Sequence, residues 1–240
     1  MYSNIHNSYH SPVPSKIAFL NNHEALLHLV NDDDNFYSRF NALDLQARNC
    51  KTVSEYKDII SESLLNFSNQ EMEIIKKLVH EISKLDWSQI HQQWVLVDKF
   101  NKLSWKFICT KGRKYEFGLP HTRGNVIIIP QQQIEDSNDF KNTLLHEQLH
   151  VYQKTFSKEF NRFLKQQGWK FHQSYSKCSE CRSNPDTNQI IYKKNGEKHV
   201  AHYNQNPRSI MDVTYFPVNQ WKYEHPNEKY VVELLEQIVL

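Results

Sequence analysis

The chain has 240 residues, and its 29 Lys and Arg against 27 Asp and Glu leave a formal charge of +2, which supplies no electrostatic footprint for nucleic acid or an anionic membrane. Its 39% hydrophobic and 12% aromatic residues suffice to bury a core, which excludes wholesale disorder. The longest aliphatic run, residues 126–129, is far short of the roughly 20 residues of a membrane helix, so no spanning segment is expected.

Residues 1–15, with Pro12 and Pro14 among Ser, Asn and His, read as a mobile amino-terminal arm, without the basic-then-apolar order of a secretion signal. Residues 16–86 read as a helical amino-terminal region: Ala25, Leu26 and Val30, then Phe36, Phe40 and Leu43, then Tyr56, Ile59, Ile60 and Leu64 recur at helical spacing. Thr52 with Glu55, and Ser68 with Glu71, have the spacing of capping boxes. From residue 87 to 240 the texture is that of a mixed region, with β-rich pieces at 94–97, 104–110 and 124–129. Pro130 ends the last of these, and Asp136 or Ser137 can cap a helix over about 138–155. Ser157 is placed to cap a further helix that Gly168 closes, turns fall at 184–188 and 195–196, short strand-like pieces at 189–192 and 199–203, and Pro226 suits the first turn of a last helix reaching 240. Four cysteines, Cys50, Cys109, Cys178 and Cys181, are too sparse for a disulfide scaffold, and no fold-defining disulfide is expected.

Within the 138–155 helix, His146, Glu147, Gln148, Leu149 and His150 spell HExxH. Residues four apart lie one above the other, so two imidazoles can grip one zinc ion while Glu147, just off that face, takes a proton from the water the ion would bind. The five letters alone also arise on any amphipathic surface; the strand at 124–129 before the helix adds context. That strand reads either as an edge lining a cleft, able to pair with extended peptide, or as a buried sheet member, which its four consecutive aliphatics favour.

A catalytic zinc takes three protein ligands and keeps one position open. Gln153 and Phe156 exclude the metzincin extension, and Lys154 excludes a third His four residues past the second. A carboxylate remains. Glu228, Val231, Val232, Leu235 and Ile238 form one stripe of the last helix, so Glu228 lies on its apolar side, where a carboxylate needs a cation to offset its desolvation. Glu224, His225 and Glu180 stay open as alternatives, as does a structural ion pair for Glu228, while Glu159 reads as surface.

The segments Leu119-Pro120-His121-Thr122, His146 to Gln153, Asn184-Pro185-Asp186-Thr187 and His225-Pro226-Asn227-Glu228, in this order, resemble a family of zinc metallopeptidases found chiefly in large DNA viruses and assigned mostly by motif. Asp44 to Arg48 and Ser54-Glu55-Tyr56 are similar to its helical amino-terminal part. The resemblance implies a gluzincin-like fold with His146, His150 and Glu228 as ligands of one catalytic Zn2+, beside Glu147 as the catalytic base that the helix spacing suggests. The Cys178-Ser179-Glu180-Cys181 insert departs from that pattern and leaves a second metal open.

Cys178, Cys181, His199 and His202 can be written as a CxxC…HxxH zinc site, but on a strand the two histidines would face opposite sides, and the spacing of the histidines is short. The plainer reading is a reduced thiol pair and two surface imidazoles. His121 is a candidate substrate contact or ligand-orienting residue; Tyr203 and Arg208, with His202 and Tyr215, lie between the second and third ligands, where an oxyanion donor would fall. The expected molecule is therefore an α+β, zincin-like metallopeptidase: a helical amino-terminal part, a small twisted sheet, the HExxH helix and a ligand-bearing last helix. Its partner would be a peptide or protein substrate, with no nucleic acid and no membrane, and its place the cytoplasm or a virus particle; the residues assign no oligomeric state. Two alternatives stand beside it: a catalytically inactive zincin-fold component of a particle or complex, and a helical adaptor in which the motif is accidental.

Overall fold

The computed structural model describes residues 16–88, 94–188, 190–218 and 223–238; the expected arm at 1–15 and the last two residues of the expected final helix lie outside the described residues. In chain order the elements are β1 (Ile17–Phe19), α1 (Asn22–Val30), α2 (Ala42–Ala47), α3 (Val53–Ser63), β2 (Leu64–Leu65), α4 (Asn69–Ile82), α5 (Val97–Phe100), β3 (Trp105–Thr110), β4 (His121–Arg123), β5 (Val126–Pro130), α6 (Asn138–Thr155), α7 (Ser157–Gln166), β6 (Lys170–Ser174), β7 (Ile190–Lys194), β8 (Glu197–Tyr203), β9 (Val213–Phe216) and α8 (Pro226–Leu235). The fold is mixed α+β with two sheets.

Apart from α5 and α7, the helices start where side chains can take up orphan amides. Asn21, Asn41 and Ser68 form complete capping boxes with Glu24, Asp44 and Glu71, and Ser137, not Asp136, caps α6. The box expected of Thr52 and Glu55 is only half made: Thr52 accepts the Glu55 amide, but the Glu55 carboxylate accepts from the Lys51 amide and not from that of Thr52. Ser157 is the first residue of α7 rather than its cap, and Gly168, at φ +84°, closes that helix in the left-handed conformation glycine tolerates.

The first sheet runs β1-β3-β5-β4, with β2 beside β3. β1, β3 and β5 are parallel, and β4 is antiparallel to β5. β5 is apolar throughout because it is buried on both faces. Phe107, Ile127 and Ile129 join a core built on α4, α6, α7 and α8, while Ile108, Val126 and Ile128 join a second core with Ala25, Leu29, Tyr56 and Ile60 of α1 and α3. The amino-terminal helices are thus split over both faces of this sheet. The strand at 124–129 is an interior member and not an edge; β4 is the edge strand beside it, and β1 stands at the other end of the order.

The expected strand at 94–97 is corrected. Trp94 and Val95 are buried in the main core, and Val97–Phe100 is the short helix α5, so that apolar run reflects packing and not strand pairing. The second sheet, β6-β7-β8-β9, is antiparallel throughout, and Asn195 and Gly196, at φ +53° and +88°, make the tight β7–β8 turn expected at 195–196. Among the described residues no helix is long and apolar enough to cross a membrane.

Candidate metal centre

The Nε2 atoms of His146 and His150 lie 3.1 Å apart. Helix α8 packs against α6 and brings the Glu228 carboxylate 3.5 Å from each ring nitrogen, Oε2 to His146 and Oε1 to His150. Donors of a tetrahedral zinc held at about 2.0–2.1 Å stand ~3.3 Å from one another, so the donor set fits such an ion. The His150 side chain is fully buried, whereas those of His146 and Glu228 are 25% and 19% exposed, which leaves solvent a way to the centre.

The sequence folds this way because α8 is anchored on both sides of Glu228. Pro226 occupies its first turn, the His225 ring accepts the Asn227 amide as a cap, and Val231 and Leu234 enter the main core. The rings are oriented as well. His150 Nδ1 donates to Gln153 Oε1 at 3.1 Å, which leaves the Nε2 lone pair facing His146 and Glu228. The Gln153 amide in turn donates to the Asn227 carbonyl at 3.0 Å.

Burial disfavours charge on the two rings, but the Glu228 carboxylate outweighs it and holds both imidazoles above their ordinary range. Burial likewise disfavours charge on Glu228, and here the two rings prevail and hold its carboxyl well below the usual carboxylate range. Glu147 is different. Burial, followed by the charge of Asp186, pushes its carboxyl well above the ordinary range against the opposing pull of His146. Its Oε2 is buried without a hydrogen-bond partner among the described residues. A proton-accepting group poised in this manner suits general-base chemistry.

The other carboxylates and imidazoles are occupied elsewhere. Glu224 pairs with Arg182 at 2.6 Å and accepts from Asn184; His225 Nε2 donates to the Ile190 carbonyl; Glu180 is exposed beside His202; Glu159 pairs with Lys99 at the surface. His121 donates from Nδ1 to the Leu119 carbonyl at 2.9 Å, and its Nε2 stands 3.1 Å from the Tyr115 hydroxyl. It borders a neighbouring cleft with Glu116, Arg182 and Asp186 rather than the histidine pair. The Tyr203 hydroxyl donates to Asp44 at 3.1 Å and accepts from Arg48 at 3.2 Å, inside a buried ion network. Arg208 is exposed, and the bond it makes is from its main-chain amide to Asp212. His199 is buried against Trp169 and is not a surface imidazole, and the sulfurs of Cys178 and Cys181 are bonded and not free.

Sequence reasoning missed the groups around the centre. Gln153 lies one turn past His150, a spacing that marks it as a ring-orienting candidate. Lys154, a full turn beyond His150, donates to the carbonyls of Thr122 and Pro185 at 2.9 and 2.8 Å; burial lowers its pKa to about 8. Asp186 accepts from the Thr122 amide at 2.6 Å and hydroxyl at 2.8 Å. The main-chain groups of this edge position are therefore bonded by side chains. Comparisons with protein-family models, with curated proteins and with solved structures find no match to this chain.

Proposed function

We propose that the protein is a zinc-dependent peptidase of gluzincin-like architecture, in which His146, His150 and Glu228 hold one zinc ion and Glu147 is the catalytic base. The observation that carries this reading is the convergence of two rings and one carboxylate, from helices distant in sequence, at 3.1 to 3.5 Å. Bound there, zinc would supply Lewis acidity to a water and to the scissile carbonyl. Gln153 keeps the His150 lone pair directed at the centre. Glu147 accepts a proton from the attacking water at its unbonded Oε2 and returns it to the departing amine nitrogen as the C–N bond breaks, which its raised pKa favours. The substrate class is a peptide or protein.

The test is metal analysis and peptide cleavage on the wild type beside three variants. His146→Ala and Glu228→Ala are expected to hold one zinc per chain fewer, and Glu147→Gln to keep metal and fold but lose turnover. Equal zinc in the wild type and both ligand variants, or unchanged cleavage by Glu147→Gln, overturns the assignment. One observation favours a second reading, a metal-holding component without turnover: Asp186 and Lys154 already bond the Thr122 main chain on the edge strand, where an extended peptide would pair. A broad peptide library left uncut by a zinc-loaded wild type selects that reading.

A further inference from the structure

The insert that sets this chain apart from the motif pattern comes together with a residue far along the chain. The Sγ atoms of Cys178 and Cys181 and one ring nitrogen of His202 lie within 4.8 Å of one another. His202 Nε2 stands 3.9 Å from Cys178 Sγ, and its Nδ1 stands 3.7 Å from the Glu180 carboxylate.

Several features hold this arrangement in place. The Arg182 amide donates to the Ala201 carbonyl and the Tyr203 amide to the Glu180 carbonyl, so main-chain bonds on either side of His202 fasten the CxxC turn to β8. Asn41 Nδ2 donates to the Cys181 carbonyl at 2.7 Å, and the His202 ring packs on Phe216 with centroids 4.8 Å apart. Cys181 is buried and Cys178 half-buried, while the His202 side chain is 26% exposed, which gives a cation an entry. Cys50 and Cys109 show the contrast: both are buried without such neighbours, and burial pushes their thiols up to about 11 and 12.

A disulfide alone has no use for an imidazole beside its sulfur. The Glu180 carboxylate, 3.7 Å from the ring's other nitrogen and largely exposed, stands on the side from which a carboxylate can fix a metal-binding tautomer. Thiolates about 2.3 Å from a tetrahedral zinc stand ~3.8 Å from each other and slightly less from an imidazole nitrogen; the 3.9 Å between Cys178 and the ring is close to this, and the two sulfurs, bonded to each other here, must part to reach it. We propose that reduced Cys178 and Cys181, together with His202, form a second metal site that takes one soft divalent cation such as zinc, with the fourth position left to solvent. The bonded sulfurs are then the oxidised form. A phosphine reductant opens them by taking oxygen from water to become its oxide, while the two water protons pass to the two sulfurs; metal uptake then releases both protons.

The site also has a place in the architecture. Arg182, directly after Cys181, pairs with Glu224, and Asn184 reaches Glu224 and, at 3.5 Å, Glu228. A cation on the CxxC turn would hold the start of the segment that borders the first centre.

The experiment is cobalt titration of the full chain, metal-free and reduced with a phosphine. The expected result is thiolate-to-cobalt charge-transfer absorption in the near ultraviolet, kept in His146→Ala, lost in Cys178→Ser, and requiring about tenfold more cobalt in His202→Ala. Absence of that absorption in the wild type, or an unchanged titration in His202→Ala, overturns the site. A second measurement needs no variant: zinc is expected to protect Cys178 and Cys181 of the reduced wild type from alkylation, read by mass spectrometry, and equal labelling with and without zinc overturns the proposal. Because the first centre contains no sulfur, neither readout depends on it.

Discussion

Gln153 and Asn227, 74 residues apart in sequence, are joined by a hydrogen bond of 3.0 Å from the Gln153 amide to the Asn227 carbonyl, and the other end of the same amide accepts from His150 at 3.1 Å. One side chain therefore couples the ring orientation of α6 to the position of α8, next to Glu228. Gln153→Leu removes both bonds while keeping the bulk. Zinc affinity is expected to fall roughly 10- to 100-fold, the usual effect of losing such a partner, as read by competition with a chromogenic chelator. An affinity equal to wild type, with the fold intact, would show that Gln153 does not orient the ring.

The helical period explains which parts of the centre were readable from sequence. His146 and His150 share a face because they are four apart, and the apolar stripe of Val231 and Leu235 turned Glu228 inward. Both rules depend on local spacing alone. Tyr203 and Arg208 were singled out by their position between ligands, a linear criterion, and the fold places the Tyr203 hydroxyl with Asp44 and leaves Arg208 in solvent. Strand β4 was invisible because His121, Thr122 and Arg123 carry no apolar alternation; pairing with β5 and side-chain bonds to Thr122 make it a strand. The run at 94–97 failed for the opposite reason, since burial of Trp94 and Val95 mimics a strand signal.

The metal-free protein should show a bell in its stability that depends on Glu228. The two imidazoles are held above the usual 6.5, so their contribution is full below about pH 6.5 and is lost as pH rises through the folded values. Glu228 is held below the usual 4.5, so its contribution is full above about pH 4.5 and is lost as pH falls through the folded value. The difference in urea midpoint between wild type and Glu228→Gln, both in chelator, is expected to be greatest between these limits and to shrink on either side. A difference that does not vary with pH would mean that the carboxylate and rings are not coupled.

Arg48 is the hub of the buried ion network. It donates to both Glu116 oxygens at 2.7 and 2.9 Å, to Asp44 at 3.1 Å and to the Ser183 carbonyl at 2.9 Å. Arg48→Ala leaves two buried carboxylates without their cation and is expected to cost about 3–5 kcal/mol in denaturant unfolding. Tyr203→Phe removes a single hydroxyl from this network and should cost about 1 kcal/mol, with zinc content and turnover as in wild type. A large loss of turnover without loss of stability in Tyr203→Phe would assign that residue a part in the reaction.

Asp186 is the charge that most raises Glu147 after burial itself. Its carboxylate also accepts from the Thr122 amide and hydroxyl, and an asparagine can keep those two bonds through its carbonyl oxygen while losing the charge. Asp186→Asn therefore isolates electrostatics from shape. With the negative charge gone, the proton on Glu147 is held less tightly, its pKa falls, and the deprotonated base persists to lower pH. The acid limb of the kcat/KM profile for peptide cleavage is expected to move toward lower pH, while zinc content stays that of the wild type. Movement toward higher pH, or an acid limb that stays in place, would show either that Asp186 does not act on Glu147 or that Glu147 is not the group titrating in that limb, and the Glu147→Gln variant separates the two.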